Sequence, residues 1–244
     1  MTTVERRPNL GEQVYAFVRD RIVGGFYVPG QVINESGLAS ELSVSRTPVS
    51  NALIMLKERG LVEGRQGRLA VPRLTIGDVR DLYRCRLAFD GLATRLAAER
   101  MQPCHLDALA CDMAVWDAAN VEDDSQSLWV ADLGFHERIY EASGNLHLVR
   151  FAQIAADLVA VYRHNTIRRL GADGASRPRS RADVRDEHRR ILDALAARDP
   201  AAAEAAARAH IECVIAHLDT LDVVTPQRGA AEPAPPSQAG SEAS

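Results

Sequence analysis

From Leu10 to Val23, apolar residues recur at helical spacing (Val14, Phe17, Val18, Ile22), and the run stops at Gly24-Gly25, whose permissive backbone ends helices. Pro29-Gly30 makes a turn. A short helix then fits Glu35 to Leu42, with Leu38, Ala39 and Leu42 facing inward. After a break at Ser43-Val44, Ser45 stands where it can cap a third helix running to about Arg59, and Pro48 is tolerated in its first turn. Val49, Ala52, Leu53 and Leu56 form the buried stripe of that helix, which Gly60 ends. Leu61-Val62-Glu63 and Leu69-Ala70-Val71 flank a Gly/Arg-rich turn and read as a small hairpin.

Residues 73–77 form a linker, and beyond it the pattern is helical almost throughout. One long amphipathic helix spans Asp78 to Arg100 and another begins at Pro103. A further one runs from Leu128 to Ser143, ended by Gly144-Asn145, and the next from Leu146 to Arg169. Gly171 to Arg181, rich in Gly, Ser, Arg and Pro, reads as a mobile loop. Two last helices, 182–197 and 200–221, meet at Arg198-Asp199-Pro200, and residues 223–244 have no apolar period and read as a disordered tail. The fold class is therefore mainly α. Residues 8–72 give a winged helix-turn-helix with a small β-hairpin, and 78–222 an antiparallel bundle of six or seven helices. The weak pattern of 101–127 leaves the count open.

Composition bounds the function more than it specifies it. No run reaches the roughly eighteen apolar residues of a membrane span. The polar stretch Met1 to Asn9 has no apolar core, so no signal peptide is expected and the location is cytoplasmic. The four cysteines (Cys85, Cys104, Cys111, Cys213) include no C-x-x-C pair and are expected to be reduced and partly buried. The net charge of −4 is unevenly spread: residues 1–72 carry nine Lys/Arg against seven Asp/Glu, residues 73–222 nineteen against twenty-four. This asymmetry permits nucleic-acid binding at the N-terminal end without requiring it.

A helix that reads DNA needs one apolar face and a small, polar, partly basic N-terminal end to enter the major groove. The outward positions of the third helix are Arg46, Thr47, Ser50 and Asn51. Arg46 can bond a guanine edge or a phosphate, Asn51 can read adenine, and Ser45 and Thr47 suit phosphates. Arg65 and Arg68, around Gly67, suit an adjacent groove or backbone. A helical subdomain with a solvated polar face would fit the same spacing. The run Leu38-Ala39-x-x-Leu42-x-Val44-Ser45-Arg46-Thr47-Pro48-Val49, with Ala52-Leu53-x-x-Leu56-x-x-x-Gly60-Leu61-Val62, resembles the N-terminal domain of the GntR family of bacterial regulators. The resemblance covers residues 10–72 and implies a homodimer on a palindromic double-stranded DNA operator. Ser50-Asn51 stands where that family commonly has Arg-Glu, and Ser36 where a basic residue is frequent. Both departures remove a cation from the expected DNA face.

Asp132 and His136 are four residues apart, on one face of a helix. His188 lies ten residues before Arg198 and His210 eleven after Asp199, so an antiparallel hairpin sets the two imidazoles at one height. Three nitrogens and one carboxylate suit a divalent metal, zinc before nickel or manganese, with positions left open for a ligand. Hydrogen-bonded core histidines and a surface Asp/His pair would fit as well. Leu82-Tyr83-x-x-Arg86-x-x-x-Asp90-x-x-Ala93, Asp132-x-x-Phe135-His136, Glu187-His188-x-x-Ile191-Leu192 and Asp199-Pro200-x-x-Ala203 resemble the FadR-type ligand-binding domain, FCD, over residues 78–221. In metal-binding members of that family these four positions, Asp132, His136, His188 and His210, are the ligands, which implies a metal site. That family usually has Glu at the position of Asp90.

The resemblance further implies a small-molecule effector, a carboxylic or sugar acid, and a regulator rather than an enzyme, acting as a repressor. Arg86 is the candidate partner for an effector carboxylate, with a structural ion pair as its alternative. A metal serving only structure and dimerisation is the second reading of the domain. A metal-dependent hydrolase finds no H-E-x-x-H or other catalytic signature and leaves residues 10–72 without a purpose.

Overall fold

The computed structural model describes residues 9–65, 67–173 and 179–224, with side chains for all of these except 164–173 and 222–224. Among them are nine helices and one two-stranded sheet. The expected tail beyond 224, and the part of the expected loop at 174–178, lie outside the described residues.

Helix α1 (Leu10–Val23) opens with a capping box between Asn9 and Glu12 and buries Val14, Val18 and Ile22. Asn34 caps α2 (Glu35–Glu41), which ends at Leu42 with Ser43 at φ 55°. Helix α3 (Arg46–Glu58) packs the expected stripe of Val49, Ala52, Leu53 and Leu56 against α1. Strands β1 (Glu63–Arg65) and β2 (Arg68–Ala70) pair antiparallel, with Arg65 opposite Arg68. The wing is tied back by a bridge from Val32 to Ala70 and by Gly30, whose amide donates to Val71 O at 2.7 Å. Gly30 sits at φ 82°, and a Cβ there would lie 2.1 Å from Arg73 Nε, so this turn requires glycine.

The second unit is a bundle of six helices among the described residues, the lower of the two expected counts. They are α4 (Ile76–Arg100), α5 (Pro103–Val121), α6 (Ser125–Ala142), α7 (Leu146–Asp173), α8 (Arg181–Ala196) and α9 (Pro200–Val224). Three boundaries differ from the periodic pattern for local reasons. Thr75 and Asp78 form a capping box that starts α4 before Asp78, and Asp124 accepts from the amides of Gln126 and Ser127 to start α6 before Leu128. Helix α7 continues past Arg169 into the expected loop. Gly91 lets α4 and α9 pack closely, since a Cβ there would stand 3.0 Å from Arg208 Cγ. The main core draws Ala97, Met101, Leu109, Phe135, Ile139, Ile191, Leu195 and Ala207 from α4, α5, α6, α8 and α9.

The two units share more than the linker. Val161 and Leu158 of α7 pack into the core of the N-terminal unit. Beside them, Arg19 of α1 grips the buried carboxylate of Asp157 with two bonds, Nε to Oδ2 at 2.9 Å and Nη2 to Oδ1 at 2.6 Å. The cysteines correct the sequence expectation: all four are free, as expected, but exposed rather than partly buried. None sits on a buried stripe, so no packing shields them.

Candidate metal centre and nucleic-acid face

On α3, Arg46, Thr47 and Asn51 are exposed and Ser50 is half-buried, so the outward set expected of a reading helix does face out. Ser45 occupies the N-cap position with extended backbone (φ −68°, ψ 166°), but its side chain makes no capping bond. On the wing, Arg68 and Gly67 are exposed and Arg65 is half-buried, and Gly67 takes φ 75° in the turn.

The second cluster forms where α6, α8 and α9 meet. Burial of Leu128, Ala131, Phe135 and Ile139 sets the rotation of α6, leaving Asp132 and His136 one turn apart at the edge of that stripe. The α8–α9 connection is fixed by Asp199, whose Oδ1 accepts from the amides of Ala201 and Ala202 at 3.0 Å, and by Arg198, which donates to Met101 O at 3.0 Å. That tight turn puts His188 and His210 side by side, ring centroids 4.8 Å apart, with His136 at 5.1 Å from His210 and 5.4 Å from His188. Each imidazole offers a nitrogen within 4.8 Å of the others. Asp132 Oδ1 stands 3.4 Å from His188 Nε2, while the donor atoms that lie within 4.8 Å of one another are those of the three imidazoles.

The donor chemistry fits a divalent ion. His188 is 1% exposed, stacked on Phe135 with Trp116 at its edge, and its Nε2 has no hydrogen-bond partner. A buried nitrogen without a partner is costly unless something coordinates it. Burial, reinforced by neighbouring positive groups, holds His136 and His188 well below the ordinary imidazole range, hence neutral with a lone pair to donate. Burial pushes the Asp132 carboxyl up, opposed by His210 and Arg86. Donors around a tetrahedral zinc ion with bonds of about 2.1 Å stand roughly 3.4 Å apart, so the trio, whose nitrogens lie within 4.8 Å of one another, would close up around the ion.

Sequence reasoning missed the residues that orient this trio. Glu187 Oε2 lies 2.8 Å from His210 Nδ1, and its Oε1 pairs with Arg179. An ionised carboxylate only accepts, so His210 donates from Nδ1 and keeps Nε2 as its donor nitrogen for a metal. Burial alone would raise the Glu187 carboxyl, but its bonds from His210 and Arg179 outweigh that and hold it at about 2. Glu187→Gln is expected to lower zinc affinity roughly 10- to 100-fold with the fold retained, measured by competition with a chromogenic chelator. Asp90, also buried, takes Arg86 Nη2 at 2.8 Å and the Tyr140 hydroxyl, and approaches His136 Nδ1 to 3.8 Å. Arg86 thus makes the ion pair that was its alternative role, while still lining the site.

Two cavities adjoin the cluster and share Arg86, Trp129, Asp132 and His136. One, of roughly 170 Å³, is walled mainly by apolar side chains of α6 and α7 and ends on Arg19, Val23 and Asp157 at the N-terminal unit. The other, of roughly 360 Å³, adds His210 and three more arginines, Arg163, Arg179 and Arg181.

Comparison with known proteins agrees with both halves. Residues 10–70 match the bacterial regulatory proteins of the gntR family, and residues 81–212 match the FCD domain. The HTH-type transcriptional regulator YdhC of Bacillus subtilis (strain 168) is 28% identical over 210 residues, covering 84% of this chain and 89% of its own. The probable D-xylose utilization operon transcriptional repressor of Paenarthrobacter nicotinovorans is 27% identical over 207 residues, 84% of this chain and 87% of its own. Among solved structures, McbR/YncC of E. coli superposes with a TM-score of 0.68 at 21% identity, over 88% of this chain and 99% of that one, which shows a shared fold.

Proposed function

The chain belongs to the GntR family of transcription regulators, in the branch with an FCD domain, and from that premise we propose that it is a dimeric repressor whose operator affinity is set by a small acid bound at a metal centre. Its family and relatives are DNA-binding regulators, not enzymes. The repressor sign is taken from the P. nicotinovorans relative, a probable operon repressor. No helix among the described residues is long and apolar enough to cross a membrane, consistent with action in the cytoplasm.

The observation that carries this reading is the convergence of His136, His188 and His210 beside cavities, one of which ends on the DNA-binding unit. Those three imidazoles with Asp132 would hold the ion, zinc first by donor set, nickel or manganese otherwise. When bound, it would supply an open position for a carboxylate oxygen. Arg86, already neutralised by Asp90, would orient the acid with its remaining donors. A purely structural metal accounts for the burial of His188 and His210 but gives the cavities on His136 no purpose.

Recognition of a palindrome would use α3 of each protomer, with Ser45, Arg46, Thr47, Ser50 and Asn51 at the major groove and Arg65, Gly67 and Arg68 of the wing on the flanking backbone. Coupling would run through the cavity wall itself. The Arg19–Asp157 pair holds α1 against α7, and the acid site lies at the other end of the same cavity. Allosteric coupling energies are typically about 1–3 kcal/mol, roughly 5- to 150-fold in affinity. Asp157→Asn is expected to leave zinc content unchanged while erasing most of the metal-dependent difference in DNA affinity. That is measured by fluorescence anisotropy on a duplex selected from a random pool. A full difference in the variant would remove the pair from the route.

A further inference from the structure

The larger cavity holds four arginines, and three of them are already matched by carboxylates: Arg86 by Asp90, Arg179 by Glu187 and Arg181 by Asp123. Arg163 is different. Among the described residues, no carboxylate lies within ion-pair distance of it. Its guanidinium lies 4.5 Å over the Trp129 ring, and Nη2 donates to Ser125 O at 3.0 Å. Stacking fixes the plane of the group while leaving most of its five donors unspent. Partial burial lowers its pKa, and the attraction of Asp132, which makes no ion pair with it, offsets that only in part.

We infer that Arg163 is a ligand-binding residue of this centre and that the ligand is a small dicarboxylic acid, one carboxylate at the His136–His188–His210 cluster and the other on the Arg163 fork. This rests on the reading of the cluster as a metal centre that receives a carboxylate. Two anion-demanding points open on one cavity, and a monocarboxylic acid answers only one of them. At roughly 360 Å³ the cavity is within the range of about 300–1,000 Å³ common for small-molecule sites. Its bound arginines explain why the second carboxylate goes to Arg163: the charge of each of the others is already balanced by a carboxylate of the protein.

The test uses the full chain loaded with zinc and two four-carbon probes, succinate and butyrate. The chain's two tryptophans, Trp116 and Trp129, both line the cavity, so intrinsic fluorescence reports occupancy directly and calorimetry checks it. Succinate is expected to bind roughly 10- to 100-fold more tightly than butyrate, the range for a hydrogen bond to a charged group. Arg163→Met, which keeps bulk against Trp129, is expected to bring succinate down to the butyrate level. Butyrate affinity, zinc content and melting temperature should stay unchanged. Arg163→Lys, a cation without the fork, should recover part of the loss. Equal binding of the two acids by wild type, or undiminished succinate binding by Arg163→Met, overturns the inference. Wild type that takes up zinc but ignores succinate overturns this inference alone. Wild type that takes up no zinc overturns the metal reading and this inference with it.

Discussion

Arg46→Ala is expected to abolish binding of the full-length protein to its selected duplex, a loss of roughly 30-fold to 10⁴-fold at physiological salt. Arg46 is the first residue of α3, exposed, at the end of the helix whose amides point outward. One good bidentate contact to a base is worth about 1–3 kcal/mol, and a dimer on a palindrome loses it twice. The loss should be larger here than in relatives with more cations on this face. Ser36, Ser50 and Asn51 leave Arg46 as the one cation in the first two turns of α3. A phosphate contact and a base contact separate by salt: loss of a phosphate contact reduces the slope of log affinity against log salt by about one per half-site, whereas loss of a base contact lowers affinity mainly for the selected sequence. Retained affinity would mean that α3 is not the reading helix.

His188→Ala is expected to reduce the zinc content of the purified protein from about one ion per chain to near zero. His188 is the innermost donor, enclosed by Phe135 and Trp116, and its Nε2 makes no hydrogen bond although Asp132 Oδ1 lies 3.4 Å away. Removing it leaves two imidazoles and a partly exposed carboxylate, and takes away the donor that holds the ion inside the core. The substitution also opens a hole in the core, worth roughly 2–4 kcal/mol by analogy with other large-to-small changes, so loss of metal could follow from loss of fold. His136→Ala separates the causes, because His136 faces the cavities and its loss disturbs less packing. Both variants should lose the ion, measured by elemental analysis, while His136→Ala keeps its melting temperature when metal-free forms are compared. Equal metal in wild type and both variants would remove the site.

Much of this architecture is legible in the sequence because the period of apolar residues, the caps and the glycine stops agree along most of residues 10–72 and at the turns that bound α6 and α8. The stripe of α3 and the heights of His188 and His210 about the Asp199 turn follow from counting alone. Boundaries slipped where a polar cap outweighed the apolar period, as at Thr75 and Asp124. The orienting residues were harder to see. Glu187 neighbours His188 on α8 and so projects about 100° away from it, off the face that carries the candidate ligand. Helix α9 packs on that side, so Glu187 meets His210. Arg19 and Asp157 are 138 residues apart, and nothing local in either segment announces the pair. Long-range polar contacts of this kind depend on how two units dock, which no periodicity encodes.

The central claim is that the histidine cluster in the helical bundle governs the winged helix-turn-helix at the other end of the cavity. The most direct test is the affinity of the full chain for its selected duplex, measured in parallel for zinc-loaded protein and protein stripped by chelator, at one fixed salt concentration. A difference of at least roughly fivefold, lost in His136→Ala, is the predicted result. Equal affinities for loaded and stripped wild type, with the zinc content of each verified, would contradict it.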